Sequence, residues 1–255
     1  VPGSGPLGLF GTPGDDRLTD RGGTEMLVGY GGDDVLIGLD GDDLLLGGSG
    51  DDVLVPGAGE DTVRGGAGVD LVSYRDADAR VTVDMAGARQ SRLGGAAAGD
   101  RLFSVELVAG SGHADRLAAD TAGSRLFGLG GQDAVIGREG SDVLGGGAGA
   151  DRVDGAAGRD RLAGGPGADE VRGGPGSDTL RGDTGADTLD GGADADRLAG
   201  GRGADMLAGG AGADNLAAGH GRDEARGGLG DDTVQGGRGD DRLAGGEGAD
   251  RLDGG

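Results

Sequence analysis

Along most of this 255-residue chain an aspartate recurs with a period of nine. In a first run the positions are Asp16, Asp34, Asp43, Asp52, Asp61 and Asp70. In a second they are Asp133, Asp142, Asp151, Asp160, Asp169, Asp178, Asp187, Asp196, Asp205, Asp214, Asp223, Asp232, Asp241 and Asp250. Short anionic side chains at one fixed spacing can do two kinds of chemistry, acid–base catalysis or ligation of a cation. Catalysis needs a carboxylate whose surroundings set it apart from its fellows. These recur too uniformly to single out one active site, so they read as ligands.

Each aspartate is the sixth residue of a unit of the form G-G-x-G-x-D-x-U-x, with U apolar. Two examples are Gly47-Gly48-Ser49-Gly50-Asp51-Asp52-Val53-Leu54-Val55 and Gly65-Gly66-Ala67-Gly68-Val69-Asp70-Leu71-Val72-Ser73. Glycine at positions one, two and four permits backbone angles closed to other residues, so several carbonyls can turn toward one point. Calcium takes six to eight oxygen ligands, carboxylates and backbone carbonyls among them, and such a turn offers both. The charge balance agrees: 46 acidic residues face 23 basic ones, every one of them arginine, for a formal charge of −23. That favours cations as partners over nucleic acid or anionic lipid. The absence of cysteine excludes disulfide staples and thiolate metal sites.

The elements that must hold these turns follow from the same period. Position eight is leucine or valine in every repeat except at Ala225, so the last three residues of each unit are expected to form a short strand with one side chain inward. Two units, or 18 residues, would complete one coil with a strand on each side and a turn at each end, successive coils stacking at about 4.8 Å. The expected fold class is all-β, a parallel β-roll or β-solenoid with two nonapeptide repeats per coil. Its core would be only stacked side chains such as Leu36, Leu54, Leu180 and Leu198. With 67 glycines and 2% aromatics, so thin a core cannot offset an ordering cost on the order of 1 to 2 kcal/mol per residue. Stacked carboxylates repel one another when bare, so without a cation the chain is expected to be disordered.

The repeats divide the chain. Residues 1–10 form a lead-in, 11–73 a first array of seven repeats, and 110–255 a second array of sixteen repeats that stops mid-repeat at Gly254-Gly255. Between the arrays, 74–109 spans 36 residues, four periods, so the second array resumes in phase with the first. In this insert Val81, Val83 and Met85 alternate, as do Phe103, Val105 and Leu107, which predicts two half-buried strands without calcium turns. No apolar run approaches the roughly 18 residues needed to span a membrane. The opening VPGSGPLGLF lacks the charged and long apolar regions of a secretory leader.

The repeats resemble those of the RTX, or haemolysin-type, calcium-binding family. The insert resembles a segment common in such proteins, with Asp70-Leu71-Val72-Ser73-Tyr74, Val81-Thr82-Val83-Asp84-Met85, Gly99-Asp100-Arg101-Leu102 and Val105-Glu106-Leu107-Val108. The resemblance implies one calcium between turns 18 residues apart. The earlier turn would give the carbonyls of positions two and four plus its aspartate, and the later turn those of positions one and three plus its own. One site would then join the Tyr30 and Gly32 carbonyls and Asp34 with the Gly47 and Ser49 carbonyls and Asp52. Another would join the Gly165 and Gly167 carbonyls and Asp169 with the Gly182 and Thr184 carbonyls and Asp187. Nineteen such pairs are the ceiling. The turn 119–124, with alanine at positions one and four and Ser124 at six, and the turns carrying His113, Asp194 and Glu25 are discounted.

Other classes fit poorly. The only histidines, His113 and His220, cannot make the H-E-x-x-H metal motif, no G-x-S-x-G elbow occurs, and there is no lysine for a phosphate loop. G-x-G-x-x-G matches are forced by the repeat. Arginines at position seven, including Arg152, Arg161, Arg242 and Arg251, read as solvated charge balance. An ice-binding solenoid would need an outward rank of threonine or asparagine, which positions three and five do not supply. The expectation is therefore a non-enzymatic module that folds on binding several calcium ions, carried by a secreted, extracellular protein exported by a type I secretion machinery, as the resemblance implies. The alternative is an accessory roll of an extracellular enzyme, a fused effector outside this chain, or a surface or adhesion solenoid.

Overall fold

The computed structural model describes residues 7–86, 92–95 and 97–255. Residues 1–6 of the lead-in, and 87–91 and 96 of the insert, lie outside the described residues. All regular structure among the described residues is β, and the chain falls into two compact units, 1–117 and 118–255.

In the first unit, strands Leu7–Phe10, Glu25–Gly31, Leu44–Ser49, Thr62–Ala67 and Arg101–Phe103 lie side by side in one parallel sheet. Strands Arg17–Thr19, Val35–Ile37, Val53–Val55, Leu71–Ser73 and Leu107–Ala109 form a second. The register steps by one coil, 18 residues: Leu18 pairs with Leu36, Leu36 with Leu54, and Leu54 with Val72. The lead-in is therefore not outside the roll, since Leu7–Phe10 pairs with Glu25–Val28 as a first strand. Its apolar residues, in LGLF, suit a strand although no glycine turn announces it.

The second unit repeats the plan. Alternate strands from Arg125–Gly130 to Arg251–Asp253 make one parallel sheet, and those from Ala134–Gly140 to Arg242–Glu247 make the other. Most run six residues, as in Arg161–Pro166 and Thr179–Thr184, not the three expected. The ladder continues through the glycines because each pairs with its counterpart one coil on, Gly192 with Gly210 for example. The three-residue expectation holds for Val35–Ile37 and Val53–Val55 in the first unit.

The position-eight side chains form the core. Leu27, Leu36, Leu45 and Leu54 are fully buried, as are Leu180 and Leu216. Burial alternates along most of the described strands, so the period of two pins the register of those coils. In the insert, Val81, Val83 and Met85 point inward as expected, and Val81–Asp84 is paired by an antiparallel strand, Arg92–Gly95. The other expected alternation is corrected: the inward residues are Leu102, Val105 and Val108, while Phe103 and Leu107 are only half-buried. Ser104 takes φ 50°, a left-handed kink that splits the run into two strands and resets which side faces in. Phe103 packs outside, beneath the Arg64 guanidinium at 4.5 Å.

Candidate metal centre

At both edges of each roll the position-six aspartates stack in rows. The backbone N–H of one donates to Oδ1 of the aspartate one coil later: Asp34 to Asp52 at 2.9 Å, Asp160 to Asp178 at 2.8 Å, Asp169 to Asp187 at 2.9 Å. These side chains are buried, Asp34 at 1% exposure and Asp61 at 0%. One oxygen of each carboxylate is thus spent on holding the next turn.

The other oxygen is not spent. Oδ2 is buried without a hydrogen-bond partner in every position-six aspartate from Asp34 to Asp70 and from Asp142 to Asp241. Buried polar atoms in native proteins are almost always paired, and a buried carboxylate oxygen without a donor is costly. A whole row of them therefore defines a lining for something positively charged.

The glycines shape that lining. A Cβ added at Gly191 would sit 2.5 Å from both Asp196 Oδ2 and the Gly209 carbonyl oxygen. The same point at Gly209 lies 2.5 Å from Asp214 Oδ2 and the Gly227 carbonyl. The bare oxygen of one turn and the first carbonyl of the next thus converge where any side chain would intrude. At position two the backbone is left-handed even without glycine, with φ 79° at Tyr30 and 73° at Asp183.

At the first site expected from sequence, Asp34 Oδ2 faces Gly29 together with the Gly47 carbonyl, which is 2.6 Å from that glycine's missing Cβ. The Tyr30 and Gly32 carbonyls aim at Gly48 and Gly50 of the following turn. At the second, the Gly167 carbonyl aims at Gly185, Asp169 Oδ2 faces Gly164 and Asp187 Oδ2 faces Gly182. The Thr184 carbonyl accepts the Gly167 N–H at 2.8 Å, leaving one lone pair.

Two expected ligands differ from the rest. Asp16 Oδ2 accepts from the Thr12 N–H at 2.5 Å and its hydroxyl at 2.9 Å, because Thr12 stands where a glycine would offer no donor side chain. Asp250 is half-exposed, its Oδ1 accepting from Asp232 N–H at 3.0 Å. At two discounted turns, hydroxyls do the same work: Ser111 donates to Asp115, and Ser124 Oγ hydrogen-bonds Asp120. His113 and His220 are exposed.

Sequence reasoning passed over three carboxylates that the fold brings into the rows. Asp100 accepts the Asp61 N–H at 2.9 Å and Glu106 accepts the Asp70 N–H at 3.0 Å, so the insert continues both stacks of the first unit. Asp20 is buried beside Glu25 and Asp43. The period of nine could not flag Asp100, which lies 39 residues from its donor and so out of phase, or Asp20, which stands at position one; Glu106, 36 residues or four periods from its donor, is in phase at position six, but its turn carries none of the glycines and no aspartate.

Burial pushes many of the position-six carboxyls up against the pull of the N–H each accepts, and for most of these neighbouring acidic groups push further. Asp61 and Asp196 rise to about 7, and Asp43, Asp52, Asp160, Asp169, Asp178 and Asp205 to about 6. The bare roll holds its own anions at a cost. Hard oxygen donors, paired anions and side-chain-free clefts together fit calcium.

A parallel β-roll with carboxylate-lined edges is the architecture these observations define. The family profile of the RTX calcium-binding nonapeptide repeat, four copies, matches residues 9–36, 19–54, 46–75, 109–144, 138–171, 145–180, 172–207, 200–234 and 226–255. The chain belongs to this family, whose repeats bind calcium in a β-roll. No curated protein matches it.

Proposed function

We propose that this chain is a calcium-induced folding and stabilisation module of a secreted protein, and that the position-six aspartates with the carbonyls of positions one to four are its ligands. The row of buried, unpartnered Oδ2 atoms carries this reading. Bound calcium would supply the positive charge and oxygen coordination these atoms lack. Without it, carboxylate repulsion and glycine entropy keep the chain open, a form suited to threading through a type I secretion machinery. Outside the cell, with calcium near about 1 mM, each ordered turn templates the next coil, as nearest-neighbour stabilisation in solenoids predicts. Catalysis is not part of this reading, since the carboxylates form uniform rows and both histidines are exposed. The insert is read as free of metal, because Asp100 Oδ2 accepts from the Tyr74 hydroxyl at 2.9 Å.

Far-ultraviolet circular dichroism during a calcium titration from chelator to about 10 mM, with magnesium in parallel, tests the proposal. A cooperative change from disorder to β signal with calcium alone is expected. A chain already β in chelator, or disordered throughout, overturns it.

A further inference from the structure

The turn 20–25 departs three times from the repeat, with Asp20 and Arg21 in place of the glycines at positions one and two and Glu25 in place of the position-six aspartate; two of these departures are carboxylates. In a regular turn the position-one glycine is the point that the bare Oδ2 faces; a Cβ at Gly38 would lie 2.7 Å from Asp43 Oδ2. Asp20 sends a carboxylate from the equivalent point. Glu25 is longer by one methylene, so its own carboxylate is displaced along the turn. Two departures that each look like defects therefore go together, one adding a carboxylate and the other making room for it.

The three carboxylates of Asp20, Glu25 and Asp43 offer oxygens that all lie within 4.8 Å of one another. Each group has an oxygen to spare. Asp20 Oδ2 accepts the Gly22 N–H at 2.9 Å, and Asp43 Oδ1 accepts the Glu25 N–H at 2.8 Å. Asp20 Oδ1, Glu25 Oε2 and Asp43 Oδ2 remain buried and without partners. Asp20 is 4% exposed and Asp43 3%, so two of the three donors are fixed inside the fold within reach of one another. The backbone hydrogen bonds hold both aspartates before any cation arrives.

We propose that Asp20, Glu25 and Asp43 form a cation site with a donor set unlike that of the regular turns, built on three carboxylates rather than two. This deepens the calcium reading above and rests on the same fold. Counted by the carboxylates in contact with the ion, a regular site offers calcium two, whereas this one offers three, a match for a trivalent lanthanide. Ligand charge and rigidity set affinity at oxygen sites, so this one fills first, with calcium held on the order of tenfold more tightly than at a regular turn.

Europium(III) serves as the probe on the full chain, because the position of its direct excitation line moves with the summed charge of the carboxylates bound to it. The first equivalent of europium is expected at the three-carboxylate position and later equivalents at the two-carboxylate position. Competition with a fluorescent calcium chelator is expected to count one tight ion. Glu25→Gln should abolish both signals while later equivalents still bind. The double variant Asp20→Gly, Glu25→Asp restores the repeat at positions one and six, and position two tolerates a residue other than glycine, as at Tyr30 and Asp183, so the fold is kept; it should bind as many ions with the tight class gone. A first equivalent at the two-carboxylate position, or a tight class unchanged in the double variant, overturns the proposal. Binding that saturates at this cluster alone would uphold it and overturn the calcium reading of the other turns.

Discussion

Asp43 in the first array and Asp100 in the insert begin alike, each accepting a backbone N–H from the turn one coil earlier, at 2.8 and 2.9 Å. They end differently. Asp43 leaves Oδ2 buried and bare, whereas Asp100 gives its second oxygen to the Tyr74 hydroxyl. Both are buried, at 3% exposure, so depth is not the difference. Stacking of carboxylates is thus a structural device of the roll, and it leaves the second oxygen bare, as the proposed cation sites require, only where no side chain supplies the second hydrogen bond. Thr12 on Asp16 and Ser111 on Asp115 are further cases of a hydroxyl on a row carboxylate.

The largest test of this comparison is Asp187→Asn, deep in the second unit. The amide oxygen can still accept the Asp169 N–H, but the charge is gone. With free calcium at about a hundred times the dissociation constant each lost site should remove about 2.7 kcal/mol, and Asp187 borders two of the proposed sites. Thermal unfolding in calcium should therefore drop steeply, while in chelator the variant should match or exceed the parent. An equal loss in both conditions would mean that the carboxylate is structural, as Asp100 is.

Next in size is the response to pH without metal. Asp61 and Asp196 stand at about 7 in the roll against 3.8 for a free aspartate, and seven others, Asp100 among them, stand at about 6. A raised folded value means the bare roll is penalised above about 7, and the penalty fades as pH falls toward 3.8. In chelator, β signal by circular dichroism should be greater at pH 5 than at pH 8. With calcium the order reverses, since protons compete for the same oxygens, and the calcium midpoint should rise as pH falls through 7 to 6. More β at pH 8 in chelator would contradict the raised values.

Tyr74→Phe should turn the insert's carboxylate into the kind found in the arrays. Leaving Asp100 Oδ2 buried without a donor should cost about 1 to 3 kcal/mol in chelator. Calcium should recover part of that loss, read as a difference between melting temperatures with and without the ion. A variant unaffected in chelator would show that the hydroxyl does not hold Asp100. Smallest is Arg152→Ala, which removes an exposed ion pair with Glu170 on the outer face. It should change stability by no more than about 1 kcal/mol and leave the calcium midpoint unmoved.

Much of this was legible in the residues. The nine-residue period places Leu36 and Leu54 in the core and Asp34 and Asp52 at the edge because a strand alternates and a turn does not. Periodicity could not read the insert in the same way, because Ser104 breaks the alternation with a backbone angle that its side chain does not announce. Nor could it read the extension of strands such as Arg161–Pro166 through their glycines, which depends on a pairing partner one coil away.

By itself the sequence determined the repeat, the parallel roll and the aspartates that line its edges, since all of these follow from local spacing. Only the tertiary structure decided which carboxylate oxygens are bare. That depends on what lies across a coil: Tyr74 reaches Asp100 over 26 residues, and Asp20 meets Asp43 from the neighbouring turn. A hydrogen bond or a cation cleft between coils is a matter of distance in space, and a period along the chain carries no record of it.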